Sequence, residues 1–465
     1  MIIEKKEFNV DSAFLINAIF SFFPVSFIFG NLITNLNVVL FCILGIFHLK
    51  SRNLNIKFNF IIKIIFTLFI IIFISTSLSF LKDLYTNTYS DYSLTKLVKS
   101  ILFFRFFIFL LIIYYLSELD IINFKYFFIS AASTSLFISA DVIFQYIFGY
   151  NIVGIEKIDF YFNTSFFGDE LISGSYIQDF SFFAILFVAW KFKDSVYSKF
   201  IIAPLIVSIL GAGIMLSGNR MPLLLFFFGL FLLYFYNKSL RTTALISILF
   251  LSMTFGSIWT FMDNELQSRF VSAASQSKKT ITALYEKITS HESEILKKEQ
   301  GEFLKETRLE DDKKEGEDYL KEKQGYRKLF STAIETWKLH KILGNGIKSF
   351  RKDCRKIITE QKRGMCSNHP HNYYLEILTD LGVVGFAITL IISSIFIGFL
   401  IKNYNLLNQN NLKNLFLLAT TISLFLEVFP IKGTGSIFTT NNATYIIILS
   451  GILLSYKNIN KLQKF

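Results

Sequence analysis

Histidine and cysteine, which carry much of enzyme chemistry, are scarce here: the 465 residues include 5 histidines and 3 cysteines. No Ser-His-Asp arrangement, phosphate-binding glycine loop or dinucleotide fingerprint is visible. No cleavable signal peptide is evident either, because the first apolar run, at 14–29, has no small-residue cleavage site after it. We therefore expect this run to be a retained helix, and any chemistry to use a substrate that is already activated.

Apolar residues are abundant instead, at 52% of the chain with 56 phenylalanines. Many runs have the ~17–25 residues that a helix needs to cross a hydrocarbon core about 30 Å thick. The sequence therefore predicts an all-α, polytopic membrane protein with about 12 transmembrane helices. The predicted spans are 12–30, 32–48, 60–81, 98–117, 124–149, 176–192, 199–217, 221–237, 242–262, 378–402, 412–430 and 443–456.

The short loops predict the orientation. One alternate set, including "HLKSRNLNIK", "WKFKDSVYSK" and the tail "YKNINKLQKF", is basic, whereas the other set is poor in lysine and arginine. Cytoplasmic loops collect positive charge, so both termini are predicted to be cytoplasmic. The net charge of +12 then reflects these loops, and nucleic acid is not an expected partner.

One long polar segment separates spans nine and ten, and it falls on the outside. The predicted organisation is transmembrane helices at 1–262, a large outer loop at 263–377 and further transmembrane helices at 378–465. The loop begins with a densely charged insertion near 275–325, which we interpret as exposed helix or a disordered segment without chemistry. The part after it has apolar residues at helical spacing until Gly344-Asn345-Gly346, which predicts a helical hairpin.

"HPHNYYLEILTDLGVVGF" (369–386) places two histidines where the chain returns to the membrane. Pro370 suits the first turn of a helix that Asn368 or His369 would cap, with His371 and Asn372 in that turn. The positive end of the helix would favour an anion and keep His371 neutral, able to accept a proton. One alternative is that His371 only caps or packs; another is a metal site with His369, for which no obvious further ligands lie nearby.

Three outer arginines are the other candidates. Arg220, in "LSGNRMPLLLF", occupies a short turn between spans seven and eight, and Arg327 begins the outer-loop helix. Arg269, in "LQSRF", lies just above span nine. Arginine here either snorkels to lipid phosphate or recognises a phosphate on a ligand. A polyprenyl-diphosphate-linked sugar fits such a site: arginines would hold the diphosphate, and a histidine would take a proton from an acceptor hydroxyl.

Three motifs, in this order, resemble the O-antigen ligase and polymerase superfamily. "SGNRMPLLLF" is similar to its Ser-x-x-Arg turn, and "YRKLFSTAIETWKLHKILGNGIKSF" is similar to its outer-loop helix. "HPHNYYLEILTDLGVVGF" resembles its His-Asn signature. The resemblance implies an inverting membrane glycosyltransferase, without metal or cofactor, whose essential residues are His371, Arg220 and Arg327. Asn372, His369, Tyr373 and Arg269 are then expected to contact substrate.

The resemblance also implies a compartment and partners. It places the protein in a bacterial inner membrane with a periplasmic active site, where Cys354 and Cys366 are expected to form a disulfide. The expected activity is that of a ligase, which moves a glycan from an undecaprenyl-diphosphate carrier to a lipid A-core acceptor, among membrane lipids. A polymerase that extends a growing glycan on the same carrier is the close alternative. A lipid-linked glycan transporter is a more distant alternative, because no convincing internal repeat is visible.

Overall fold

The computed structural model describes residues 12–50, 58–157, 161–192, 195–272, 275, 325–361, 364–433 and 435–455. Most of the charged insertion lies outside these ranges. Within them the fold is all-helical, and no residue belongs to a β-strand. The helices are α1 Ser12–Ser21, α2 Phe23–Ile28, α3 Gly30–Lys50, α4 Phe60–Tyr85, α5 Asp91–Glu118, α6 Phe124–Phe148, α7 Ser173–Lys191, α8 Ala203–Leu216, α9 Arg220–Tyr236, α10 Arg241–Phe261, α11 Gly325–Leu339, α12 Phe350–Gln361, α13 Tyr373–Lys402, α14 Tyr404–Leu407, α15 Leu412–Glu427 and α16 Thr440–Ser455.

Every predicted span coincides with one of these helices, and the first is divided between α1 and α2. In the described part of the chain, 7 helical segments are long and apolar enough to cross a membrane. Helices α1, α9 and α16 are apolar but shorter. The protein is thus an all-helical membrane protein, while the count of 12 spans stays a prediction.

Phenylalanine forms much of the core between the helices. The ring of Phe416 on α15 lies 5.2 Å from Phe128 of α6 and 5.9 Å from Phe183 of α7, centroid to centroid. All three side chains are buried. Large rigid rings in tilted contact bury much area with little loss of rotamer freedom, which explains how so phenylalanine-rich a sequence packs into one bundle.

Helices α11 and α12 form the predicted hairpin beyond α10. They pack around a small core of Leu329, Ala333, Phe350 and Cys354. The buried face of α11 follows Leu329, Thr332, Ala333 and Thr336, spaced three and four residues apart as in an amphipathic helix. The helix ends at Leu339, earlier than the predicted stop at the glycine turn.

The hairpin is locked into a break in α13. At Gly382 (φ 66°, ψ −166°) the helical hydrogen-bond pattern is interrupted. The next two amides donate to the carbonyls of Lys341 and Ile342, at 2.9 and 3.2 Å, and the Asp380 carbonyl accepts from the Gly346 amide at 2.9 Å. The turn before α12 therefore satisfies backbone groups that the break exposes.

Two glycines make this approach possible. A Cβ on Gly344 would lie 2.2 Å from the Asp380 carbonyl oxygen, and one on Gly382 would lie 2.2 Å from the Ile342 carbonyl oxygen. Both residues also have positive φ, which side chains disfavour. The backbone at Gly344, in the Gly-x-Gly turn, thus packs directly against the backbone at Gly382, in the histidine motif.

Candidate functional site

Asn372 caps the helix that follows the histidines. Its side-chain oxygen accepts from the amides of Tyr374 and Leu375, both at 3.1 Å, and its amide nitrogen donates to the Pro430 carbonyl at 2.7 Å. Asn372 is buried and α13 begins at Tyr373. The expectation of a cap at 368 or 369, with residues 371 and 372 in the first turn, was wrong: the side chain of Asn372 is the cap, and its tertiary bond to Pro430 explains the choice.

His371 immediately precedes the cap and has a left-handed backbone, with φ of 57°. Its ring lies 4.2 Å from that of His369 between centroids, and its Nε2 lies 3.5 Å from Ser367 Oγ. Both histidines are half-buried, and Pro370 between them is buried. An imidazole held in a sparsely populated backbone conformation at a helix N-terminus is a typical arrangement for a functional residue.

The turn with Arg220 is fastened to the start of α7. Asn219 accepts from the Gly174 amide at 3.1 Å and donates to the Leu171 carbonyl at 3.0 Å. Arg220 is exposed at the first position of α9, and its Nη1 donates to the Arg269 carbonyl at 3.2 Å. The guanidinium of Arg269 lies 4.0 Å from the ring centroid of Phe162. The two arginines therefore adjoin, and an aromatic face orients one of them.

Arg327 makes no hydrogen bond to this pair among the described residues. It is exposed near the start of α11, two residues before the buried Leu329. Among the described residues, no hydrogen bond or ion pair links Arg327 directly to His371 or to Arg220. The structure thus brings together two pairs, Arg220 with Arg269 and His369 with His371, and leaves the role of Arg327 a prediction.

A disulfide joins Cys354 of α12 to Cys366, with the Cα atoms 5.5 Å apart. Cys366 packs against the hairpin core and lies five residues before His371. The bond thus joins the segment before the histidines to the α11–α12 hairpin. Asp380 of α13 also holds this hairpin, because its carboxylate accepts hydrogen bonds from the amides of Lys348 at 2.6 Å and Phe350 at 3.1 Å.

The sequence reading missed a buried charge network beside the histidine motif. Tyr373 donates to Glu427, whose other oxygen accepts from Lys432. Lys432 also lies 3.6 Å from Asp179 of α7. Burial lowers the pKa of Lys432, but the two carboxylates outweigh this effect and the pKa is raised overall, so the ammonium keeps its charge. Asp179 inside a predicted span was an available signal, since an ionisable residue there requires a partner.

Two cavities adjoin this network. An apolar cavity of about 180 Å³ lies between α4, α5, α13, α15 and α16, and Tyr373 and Tyr374 are among its lining residues. A polar cavity of about 140 Å³ is lined by Asp179, Glu427 and Lys432 and by the first turns of α7 and α16. A polar site and an apolar site therefore lie on either side of the network that Tyr373 joins.

These features define a membrane protein with a polar site, rich in arginine and histidine, at one end of its helical bundle. Residues 205–390 match the family model described as O-antigen ligase. The match includes Arg220, Arg269, Arg327 and His371 and confirms the resemblance to the O-antigen ligase superfamily. No curated protein sequence matches the chain.

Proposed function

We propose that this protein is an O-antigen ligase-like glycosyltransferase. It moves a glycan from an undecaprenyl-diphosphate carrier to a lipid A-core acceptor at the periplasmic face of the inner membrane. The observation that carries the proposal is the joint position of the Arg220–Arg269 pair and the His369–His371 pair within the matched segment.

The reaction requires three things of the site. The acceptor hydroxyl loses its proton to His371 as its oxygen attacks the anomeric carbon of the donor sugar from the face opposite the diphosphate. The bond between that carbon and the diphosphate oxygen breaks, and the carrier diphosphate leaves. Arg220 and Arg327 offset the negative charge that develops on the leaving group. Arg269 orients Arg220 through its carbonyl, and no metal or cofactor takes part.

The apolar cavity supports a lipid-linked donor. Its lining is formed almost wholly by aliphatic and aromatic side chains, including Phe69, Phe103 and Ile377. Tyr373 connects the cavity to the cap beside His371. A polyprenyl chain placed there would position its diphosphate near the histidine pair, and apolar burial would contribute about 25 cal/mol per Å².

A polymerase that joins repeat units on the same carrier is the second candidate. It would use the same donor and the same proton transfer, and it differs only in its acceptor, which is a carrier-linked glycan. The match to residues 205–390 supports ligase or polymerase activity alike. The two activities are therefore distinguished by which acceptor receives the glycan in an assay.

The test uses purified protein, a polyprenyl-diphosphate-linked glycan and core-complete lipopolysaccharide, without ATP or added metal. We expect wild type to attach glycan to the core, and His371→Ala and Arg220→Ala each to reduce the rate by about 10²-fold or more. The matched control is Arg355→Ala, an exposed arginine on α12. Elongation of the carrier-linked glycan would replace the ligase by the polymerase, and full activity of both variants would refute the proposed site.

A further inference from the structure

The polar cavity is lined by residues that adjoin the arginine turn and the histidine motif. Its lining includes Ile172 and Ser175 at the start of α7, and the preceding Leu171 accepts a hydrogen bond from Asn219, the neighbour of Arg220. On the opposite side, Glu427 accepts from Tyr373, the first residue after the Asn372 cap. The cavity is therefore connected to the arginine turn on one side and to the histidine motif on the other.

Its lining combines aromatic walls with a few convergent polar groups. Tyr176, Phe180 and Tyr445 pack in a row, with ring centroids 5.0 and 5.3 Å apart. Among the described residues, the buried side-chain oxygen of Asn441 has no hydrogen-bond partner. Asn442 lines the cavity as well. Aromatic faces with scattered hydrogen-bonding groups suit a molecule that has both C–H surfaces and hydroxyls.

The charge of the lining distinguishes between ligands. Lys432 is paired with both Glu427 and Asp179, so its positive charge is already compensated by two carboxylates. A phosphate would therefore meet a lysine whose charge is already paired with carboxyl groups. A neutral, hydroxyl-rich molecule would instead donate to carboxylate oxygens and to the Asn441 oxygen.

We propose that this cavity is a glycosyl subsite, which binds one uncharged pyranose ring of a glycan substrate. The inference rests on the proposed function and extends it, because the cavity adjoins the start of α7, which bonds the arginine turn, and Glu427, which bonds Tyr373 of α13. The ring belongs either to the donor glycan or to the acceptor glycan, and both present the same chemistry to the cavity.

Binding is measured without catalysis, by saturation-transfer NMR on detergent-solubilised full-length protein. The probes are the methyl glycosides of glucose, galactose, rhamnose and N-acetylglucosamine, with inorganic diphosphate as competitor. We expect at least one glycoside to bind wild type and diphosphate not to displace it. His371→Ala should bind equally, because it lies outside the cavity, so the test of binding does not depend on turnover.

Two variants test the location. Ser175→Leu fills the cavity. Asn441→Leu removes a side-chain oxygen that bonds no described residue, so this variant should still fold. Each should reduce binding at least about tenfold, the effect of roughly 1.4 kcal/mol. Ser257→Leu, on the exposed face of α10, is the matched control and should bind as wild type does.

The outcomes separate this subsite from the proposed function. In the transfer assay, a KM that rises for the carrier-linked glycan alone assigns the ring to the donor, and a KM that rises for the lipopolysaccharide alone assigns it to the acceptor. Absence of transfer by wild type, with glycoside binding intact, would refute the function and keep the subsite. Absence of binding to all four glycosides, unchanged binding in both leucine variants, or displacement by diphosphate would overturn the subsite.

Discussion

Replacement of Asp380 by asparagine should release the α11–α12 hairpin from α13. The carboxylate is fully buried, and its two oxygens accept separately: one from the Lys348 amide at 2.6 Å, the other from Ser349 Oγ at 3.0 Å and the Phe350 amide at 3.1 Å. An amide side chain has only one acceptor oxygen, so an NH₂ group must face a donor on one side. The cost of one lost charge-assisted bond and one unsatisfied donor is about 2–4 kcal/mol.

That cost predicts a measurable opening of α12. A change of about 2–4 kcal/mol raises the population of the detached hairpin by roughly 30- to 1,000-fold. Mass spectrometry after limited trypsin digestion measures the rate of cleavage after Arg355. This rate should rise by a matching factor in Asp380→Asn. Asp169→Asn, at an exposed aspartate, serves as the control. A folded Asp380→Asn protein cut within about threefold of the wild-type rate would refute this account.

Four further outcomes are expected. Gly344→Ala should destabilise the fold by about 2 kcal/mol or more in thermal unfolding, because it adds both a clash and left-handed strain. His371→Gly should be as inactive as His371→Ala but about 0.5–1 kcal/mol more stable than that variant in thermal unfolding, since glycine accepts the positive φ. Burial lowers the pKa of His340 below 6.5, so stability should be full above that pH and fall as the pH drops toward the lowered value; His340→Gln should flatten this profile. Thiol labelling of the non-reduced protein should find Cys354 and Cys366 blocked until a reductant is added. Equal melting temperatures, an unchanged pH profile or free thiols would each contradict the corresponding step.

Local patterns predicted the helices well but left the cap of α13 undecided. Asn368, His369 and Asn372 are all capable of capping, and the structure selects Asn372, whose amide reaches Pro430, 58 residues further on. No short-range signal contains that bond. The glycine turn was likewise predicted as a simple helix stop, whereas its backbone bonds the break at Gly382 in a distant helix.

Long-range pairings explain the remaining differences. More than half of the chain separates Asp179 from Lys432. Only the fold therefore shows that they form one network with Glu427. Asp179 lies inside a predicted span, and no neighbouring residue in the sequence indicates its partner. The hydrogen bond from Arg220 to the Arg269 carbonyl joins residues 49 positions apart, so local spacing in the sequence does not predict it.

The seam between the outer hairpin and α13 has a consequence for how substrates arrive. Because the hairpin turn and the broken helix exchange backbone hydrogen bonds at 2.9–3.2 Å, raising the hairpin would leave buried peptide groups of α13 without partners. The hairpin is therefore held on α13 by backbone bonds that no side-chain substitution removes. Under the proposed function, a lipid-linked substrate would then approach His371 between the helices of the bundle, without displacement of this hairpin.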